Sequence, residues 1–309
     1  MTFEEAVRRN SAYKALMSEA KNPTHSYMLV SPDSLTTELC ANAFISFITG
    51  RSWDEEWTPK DIYTLPFGEK VLISDADFVT QTAYVMPTEL NKKYFIIRGA
   101  ETANESAQNK LLKTLEEPPE TAVIILLCAN EYAMLPTVRS RCRIIRPEAY
   151  TDEIMRKVLD EECPDCPNPS FAVAVASGNL RKLQEAVTGG TESFDRAIEM
   201  LMCMRKSSEI IRFSTALTAR KDKLPEFLDA LELILRDCMV FASRPELIKL
   251  KDNVMDIREL SQGYTPYVVL KEMPVLLRAR KRINAGGNVN SIVDELLFSI
   301  LEEKAKCQK

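Results

Sequence analysis

Residues 93 to 146 read KYFIIRGAETANESAQNKLLKTLEEPPETAVIILLCANEYAMLPTVRSRCRIIR. The alternation inside this stretch decides the fold class. KYFII (Lys93 to Ile97) and TAVIILLC (Thr121 to Cys128) are apolar runs of strand length, rich in branched side chains. Between them Asn104 to Leu115 has apolar residues at helical spacing and is ended by Pro118 and Pro119. Met134 to Ser140 predicts a short helical turn, and Cys142 to Arg146 a further strand. Wholly apolar strands separated by helices predict a parallel sheet covered on both faces.

The same grammar extends toward the N-terminus. Thr2 to Ala20 predicts a helix stopped by Asn22 and Pro23, and SYMLV (Ser26 to Val30) a strand. After the turn SPDS, Asp33 or Ser34 can cap a helix running to about Ile48. Asp61 to Leu65 predicts a strand and Asp75 to Val85 a helix. Past residue 150 the strand signals vanish. Helices are expected over Thr151 to Glu162, Phe171 to Val187, 191–219, 224–243, 254–262, 266–284 and 289–305. Three segments follow: an α/β domain over 1–149, a small helical domain over 150–206 and an all-α domain over 207–309.

Composition agrees with two or three domains. The chain has 309 residues, 45% of them apolar and 28% charged, which is globular and not disordered composition. Net charge is −5. A chain that grips nucleic acid unaided usually carries a basic excess, so any DNA contact is expected to be local or shared with partners. The longest purely apolar run is Ala122 to Ala129, far short of the ~20 residues that span a bilayer. MTFEEAVRRN has no apolar signal core. A cytoplasmic location is the expectation.

Little catalytic chemistry can be built from these residues. The chain has a single histidine, His25, which excludes a two-histidine metal site and most imidazole catalysis. Most of the eight cysteines lie in apolar or helical stretches and read as small buried hydrophobes. Cys163 and Cys166 form a lone CxxC without the further paired ligands of a closed zinc site, so no metal is expected. The basic cluster Arg278 to Arg282 reads as a solvated helix face.

The strand SYMLV followed by a turn and a helix is where an α/β fold binds phosphate. A phosphate loop needs G-x-x-x-x-G-K-[ST], with glycines for close backbone approach and a lysine on the β/γ oxygens. Ser31 to Leu39 reads SPDSLTTEL, with neither, and Asp33 and Glu38 repel phosphate. After KYFII the only carboxylate is Glu101, so the acidic pair that would hold magnesium is missing as well. No bound cofactor is expected.

The elements AQNKLLKTLEEPP (Ala107 to Pro119), the strand ending in CAN (Cys128 to Asn130) and MLPTVRSRC (Met134 to Cys142) resemble the bacterial DNA polymerase III clamp-loader family of the AAA+ superfamily. THSYMLVSPDS from Thr24, SGNLRKLQEA (Ser177 to Ala186) and GGNVNSIVDELLFSIL from Gly286 are consistent with it. The resemblance implies an AAA+-like α/β domain with a degenerate nucleotide site, a helical lid and a helical collar that oligomerises. It also makes Ser140-Arg141-Cys142 the family's SRC motif, with Arg141 an arginine finger acting in trans. The family's tau/gamma motor subunits keep the phosphate loop, the acidic pair and a zinc-binding cysteine cluster, none of which is present here, and its delta branch generally lacks SRC. An SRC motif on a dead nucleotide site resembles the delta-prime branch.

That resemblance implies a non-catalytic subunit, with tau/gamma and delta subunits as partners and with the sliding clamp and primer-template DNA reached through the complex. Two other readings stand beside it. One is an unorthodox NTPase using Glu101, Asn130 and Arg181 around a loop where Ser31, Ser34, Thr36 and Thr37 bind phosphate. The other is an AAA+-derived adaptor outside replication. For Asn130 the preferred reading is a polar cap at a strand end. Arg181 stands in the place of the family's second sensor, with a solvated helix residue as the alternative.

Overall fold

The computed structural model describes residues 1–51, 58–189, 191–204 and 206–307. The chain forms two compact units. The first comprises Met1–Glu162 together with Gly178–Arg181, and the second Cys163–Ser177 with Lys182–Lys309.

The first unit is built on five strands: β1 (Ser26–Val30), β2 (Ile62–Leu65), β3 (Lys93–Ile97), β4 (Ala122–Cys128) and β5 (Arg143–Ile145). They lie in the order β2-β3-β4-β1-β5, and every neighbouring pair is parallel. β4 is buried along its whole length. Its two ladders put Ile124 beside both Phe95 and Ser26, which is why this run is apolar on both faces.

Helices cover both faces. On one, Met28, Phe95, Ile97, Ile124 and Leu126 meet Ala76, Val79 and Ala83 of α4 (Ile73–Ala83) and Ala107, Leu111 and Leu115 of α5 (Glu105–Glu116). Val138 of the one-turn α6 (Pro136–Arg139) joins the same core. On the other, the alternate residue Tyr27 sets its ring edge-on to Phe44 of α3 (Ser34–Thr49), with 5.1 Å between centroids. α7 (Asp152–Glu162) ends the unit's long N-terminal segment.

The expected first helix is two: α1 (Phe3–Arg9) and α2 (Ser11–Glu19). Asn10 breaks it by taking an extended backbone, accepting the Ala12 N–H at 3.1 Å and donating to the Glu148 carbonyl at 2.9 Å. A short side chain that bonds locally competes with the helix ladder. Before β2 the buried Asp61 accepts the N–H groups of Thr88, Glu89 and Leu90, at 2.6 to 3.0 Å. Burial alone would raise this carboxyl, but those donors outweigh it and hold it below the usual carboxylate range.

The second unit is helical: α8 (Pro169–Ala176), α9 (Leu180–Gly189, whose first residues belong to the first unit), α10 (Glu192–Cys203), α11 (Ser207–Thr218), α12 (Leu224–Phe241), α13 (Val254–Ser261), α14 (Pro266–Asn284) and α15 (Val289–Cys307). The helix expected over Phe171 to Val187 is split by Ser177 and Gly178, at φ 47° and 80°. A Cβ on Gly178 would lie 2.6 Å from the Tyr150 carbonyl, so only glycine fits where the chain crosses residue 150. The helix expected over 191–219 is α10 and α11; Arg205, on which that expectation also falls, lies outside the described residues.

Phe194, Met200, Leu201, Phe227, Leu231, Tyr264, Val268, Leu276 and Leu297 form the second core. A polar knot sits inside it: Tyr264 donates to the Leu201 carbonyl at 3.0 Å, and the buried Lys304 ammonium donates to the same carbonyl at 2.9 Å. Among the described residues no helix is long and apolar enough to cross a membrane.

Candidate functional site

The loop between β1 and α3 is where phosphate would bind, and a carboxylate of the chain itself fills it. Asp33, 5% exposed, is the N-cap of α3. Its Oδ1 accepts the N–H of Thr36 at 3.2 Å and its Oδ2 the Thr36 hydroxyl at 2.7 Å. The same two oxygens accept the backbone N–H groups of Leu180, at 2.8 Å, and Arg181, at 3.2 Å. One negative group therefore caps the starts of α3 and α9 together. Helix N-termini attract anions through unpaired N–H groups and the helix dipole; here an internal anion takes them.

The surroundings tighten this arrangement. Ser31 accepts the Asp33 N–H at 3.1 Å, and its own N–H donates to the Cys128 carbonyl at the end of β4 at 3.0 Å. Asn179 donates to the Pro32 carbonyl at 3.2 Å. The Thr36 hydroxyl lies 3.2 Å from the Tyr150 hydroxyl, and the Tyr150 N–H donates to the Gly178 carbonyl at 3.0 Å. The Arg181 guanidinium donates to Ser34 Oγ at 3.2 Å and lies 3.6 Å from Glu38, which Arg98 also meets at 3.6 Å. Arg181 thus reaches the start of α3, although 147 residues separate it from Ser34.

Glu101 lies against the Cys128 thiol at the other side of β4. Burial pushes that thiol up to about 12, and the neighbouring carboxylate adds to the shift. Glu101 Oε2 is buried without a hydrogen-bond partner. Asn130 accepts the Tyr132 N–H at 3.0 Å and caps a short 3-10 turn over Glu131–Ala133, which is the cap reading of this residue. His25 is exposed, ahead of β1.

The SRC residues follow α6. Pro136 opens that turn, Val138 anchors it in the core, and the Arg141 carbonyl accepts the Ser26 hydroxyl at 2.7 Å, which ties the segment to β1. The Arg141 side chain is one-third exposed. Its guanidinium donates to the Thr137 carbonyl at 2.8 Å and to Ser140 Oγ at 3.2 Å, and pairs with Glu116 of α5 at 2.7 Å. Arg139 points elsewhere, with its guanidinium 5.6 Å from the ring of Tyr132, which is 81% exposed. Burial pushes the Cys142 thiol up to about 12, so this cysteine is a packing residue.

Glu116 as the partner of Arg141, and Asp33 as a double cap, were not picked out from the sequence. An i, i+3 pattern hints at the Asp33–Thr36 half of the cap, but nothing local announces Leu180. Among the described residues no three histidine, cysteine or acidic side chains gather as metal ligands.

Comparison with known proteins bears on the first unit. Residues 9–150 match the family described as DNA polymerase III, delta subunit. The sequence is also similar to DNA polymerase III subunit delta' of Bacillus subtilis, 24% identical over 227 residues, or 69% of this chain and 67% of that one. The first unit is similar to that of a delta-prime clamp-loader subunit. DNA polymerase III subunit delta' of Haemophilus influenzae is 23% identical over 64% of this chain and 61% of its own length. The subunit of the same name from Pseudomonas aeruginosa is 40% identical over 65 residues, 21% of this chain and 19% of that one. The alignments thus span between a fifth and two-thirds of these delta-prime relatives. A solved structure of a DNA polymerase III gamma subunit-related protein from Thermotoga maritima superposes with a TM-score of 0.49 at 17% identity, covering 95% of this chain and all of that one.

Proposed function

We propose that this chain is a non-catalytic subunit of a bacterial clamp loader, working in the cytoplasm beside ATP-binding tau/gamma subunits and a delta subunit. It binds no nucleotide itself. It presents Arg141 to the nucleotide of a neighbouring motor subunit, and the complex loads the sliding clamp on primer-template DNA. Residues 150–206 serve as a lid and residues 207–309 as the oligomerising collar.

The observation that carries the reading is the Asp33 carboxylate on the N–H groups of Thr36, Leu180 and Arg181. A phosphate entering there would meet a buried negative charge whose donors are already used, with no loop lysine to offset the repulsion. Binding the loop's own anion leaves the domain folded without ATP, as a positioning subunit requires. Arg141 suits delivery because a guanidinium offers five fixed donors to phosphate oxygens, where a lysine offers a point charge.

Calorimetric titration of the isolated chain with Mg-ATP tests the nucleotide part. No heat of binding is expected at millimolar ATP. Binding with a Kd of ~1 μM, about −8 kcal/mol, would overturn the reading.

A further inference from the structure

The turn between α7 and α8 holds a chemistry that the clamp-loader reading leaves unused. Its sequence is Cys163-Pro164-Asp165-Cys166, and the Cys166 N–H donates to the Cys163 carbonyl at 3.1 Å. That bond closes a β-turn with Pro164 at its second position and Asp165 at its third, residues suited to a type I turn. The ends of a β-turn lie within ~7 Å between Cα atoms, and a disulfide needs ~4.4–6.8 Å. The turn therefore holds the two residues close together, at the separation scale a disulfide needs.

Both residues are thiols, and both are partly exposed. Burial pushes the thiols of Cys40, Cys128, Cys142 and Cys238 up to about 12, which starves them of thiolate at neutral pH. Cys203 is also partly exposed, and the Cys307 side chain lies outside the described residues. The turn also opens the second unit, whose first segment is Cys163–Ser177.

We propose that Cys163 and Cys166 form a redox-active dithiol that closes to an intraturn disulfide by exchange with a low-molecular-weight disulfide of the glutathione class. One cysteine thiolate attacks a sulfur of the oxidised glutathione, breaking its S–S bond and releasing one glutathione thiolate. The second cysteine thiolate attacks the protein sulfur of the mixed disulfide and releases the other. Two protein thiols are oxidised and one glutathione disulfide is reduced to two glutathione thiols, which take up the two protons. Closing the bridge fixes this segment in its turn; opening it restores an ordinary connection.

The test uses the full chain with Cys203 and Cys307 replaced by serine, incubated at pH 8 with oxidised glutathione and analysed natively by intact mass and thiol titration. The expected product has lost two hydrogens and two titratable thiols, and peptide mapping places the bridge between Cys163 and Cys166. The Cys166→Ser variant of this chain should instead retain one glutathione on Cys163, because no resolving thiol remains. Amide exchange over residues 163–168 should slow on bridge formation. A parent chain that keeps both thiols, or that accumulates a stable glutathione adduct on either cysteine, would overturn the proposal. A bridge whose formation leaves amide exchange at the turn unchanged would overturn its role as a clip.

Discussion

Arg141 and Glu116 form an ion pair at 2.7 Å within one chain. The arginine proposed to reach a neighbour's phosphate is therefore paired within its own chain with the last residue of α5, and the Thr137 carbonyl and Ser140 Oγ hold the same guanidinium. Both partners are a third to a half exposed, so the pair is worth only ~0–1 kcal/mol. A contact this weak orients the side chain without locking it in place.

Glu116→Gln should release the guanidinium while the fold stays intact. Its melting temperature should stay within a few degrees of wild type, since the lost contact contributes ~1 kcal/mol or less. Arg141 should then react faster with phenylglyoxal, read by peptide mapping. An unchanged rate would show that Glu116 does not restrain the arginine.

Asp33→Ala removes the acceptor for four donors from two helix starts. Losing a cap costs ~0.5–2 kcal/mol, and buried donors left unpaired cost ~1–3 kcal/mol more. A total of about 1.5–5 kcal/mol is expected by urea denaturation. Asp33→Asn, which keeps one acceptor oxygen, should lose less. A midpoint equal to wild type in the alanine variant would mean that this carboxylate does not join α3 to α9.

Much of this was readable in advance, and the reasons differ by element. β1 and β3 fall on Ser26–Val30 and Lys93–Ile97 as expected, because strands paired on both sides must be apolar throughout and turn residues flank them. The exposed face of a helix carries less information. The breaks at Asn10 and Ser177–Gly178 were missed because each depends on a distant carbonyl, that of Glu148 or Tyr150. At the site, a cap of α3 at Asp33 or Ser34 was legible in the turn SPDS. That Asp33 would do more than cap α3 was not, since Leu180 and Arg181 come to it across 147 and 148 residues.

The second unit should show a pH-dependent stability that traces to Glu272. This residue of α14 is fully buried, accepts the Ser299 hydroxyl at 3.0 Å on Oε1, and leaves Oε2 without a partner. Burial, reinforced by Glu303 and Glu302, pushes its carboxyl up to about 7. Below the ordinary glutamate value of ~4.3 the folded and unfolded chains are both protonated, and Glu272 carries no penalty. As pH rises the unfolded chain ionises first, so stability falls between ~4.3 and 7 and the deficit is complete above that. Glu272→Gln stays neutral throughout. It should exceed wild type by on the order of 2–3 kcal/mol at pH 8 and match it near pH 4. A constant offset across that range would assign the effect to packing instead of ionisation.

The central claim is that this chain acts on a neighbour's ATP through Arg141. The direct measurement is clamp- and DNA-stimulated ATP hydrolysis by clamp-loader complexes reconstituted with wild-type, Arg141→Ala or Arg141→Lys chain. An arginine finger that is the main contact is worth ~10³–10⁵ in rate at its own site; the loss read on a whole complex should be smaller if ATP sites untouched by Arg141 contribute to the rate. Expected are normal assembly on sizing, a clear drop in stimulated hydrolysis and clamp loading for Arg141→Ala, and little rescue by lysine. Normal assembly with unchanged hydrolysis and loading would contradict it, and would leave Arg141 as the surface partner of Glu116.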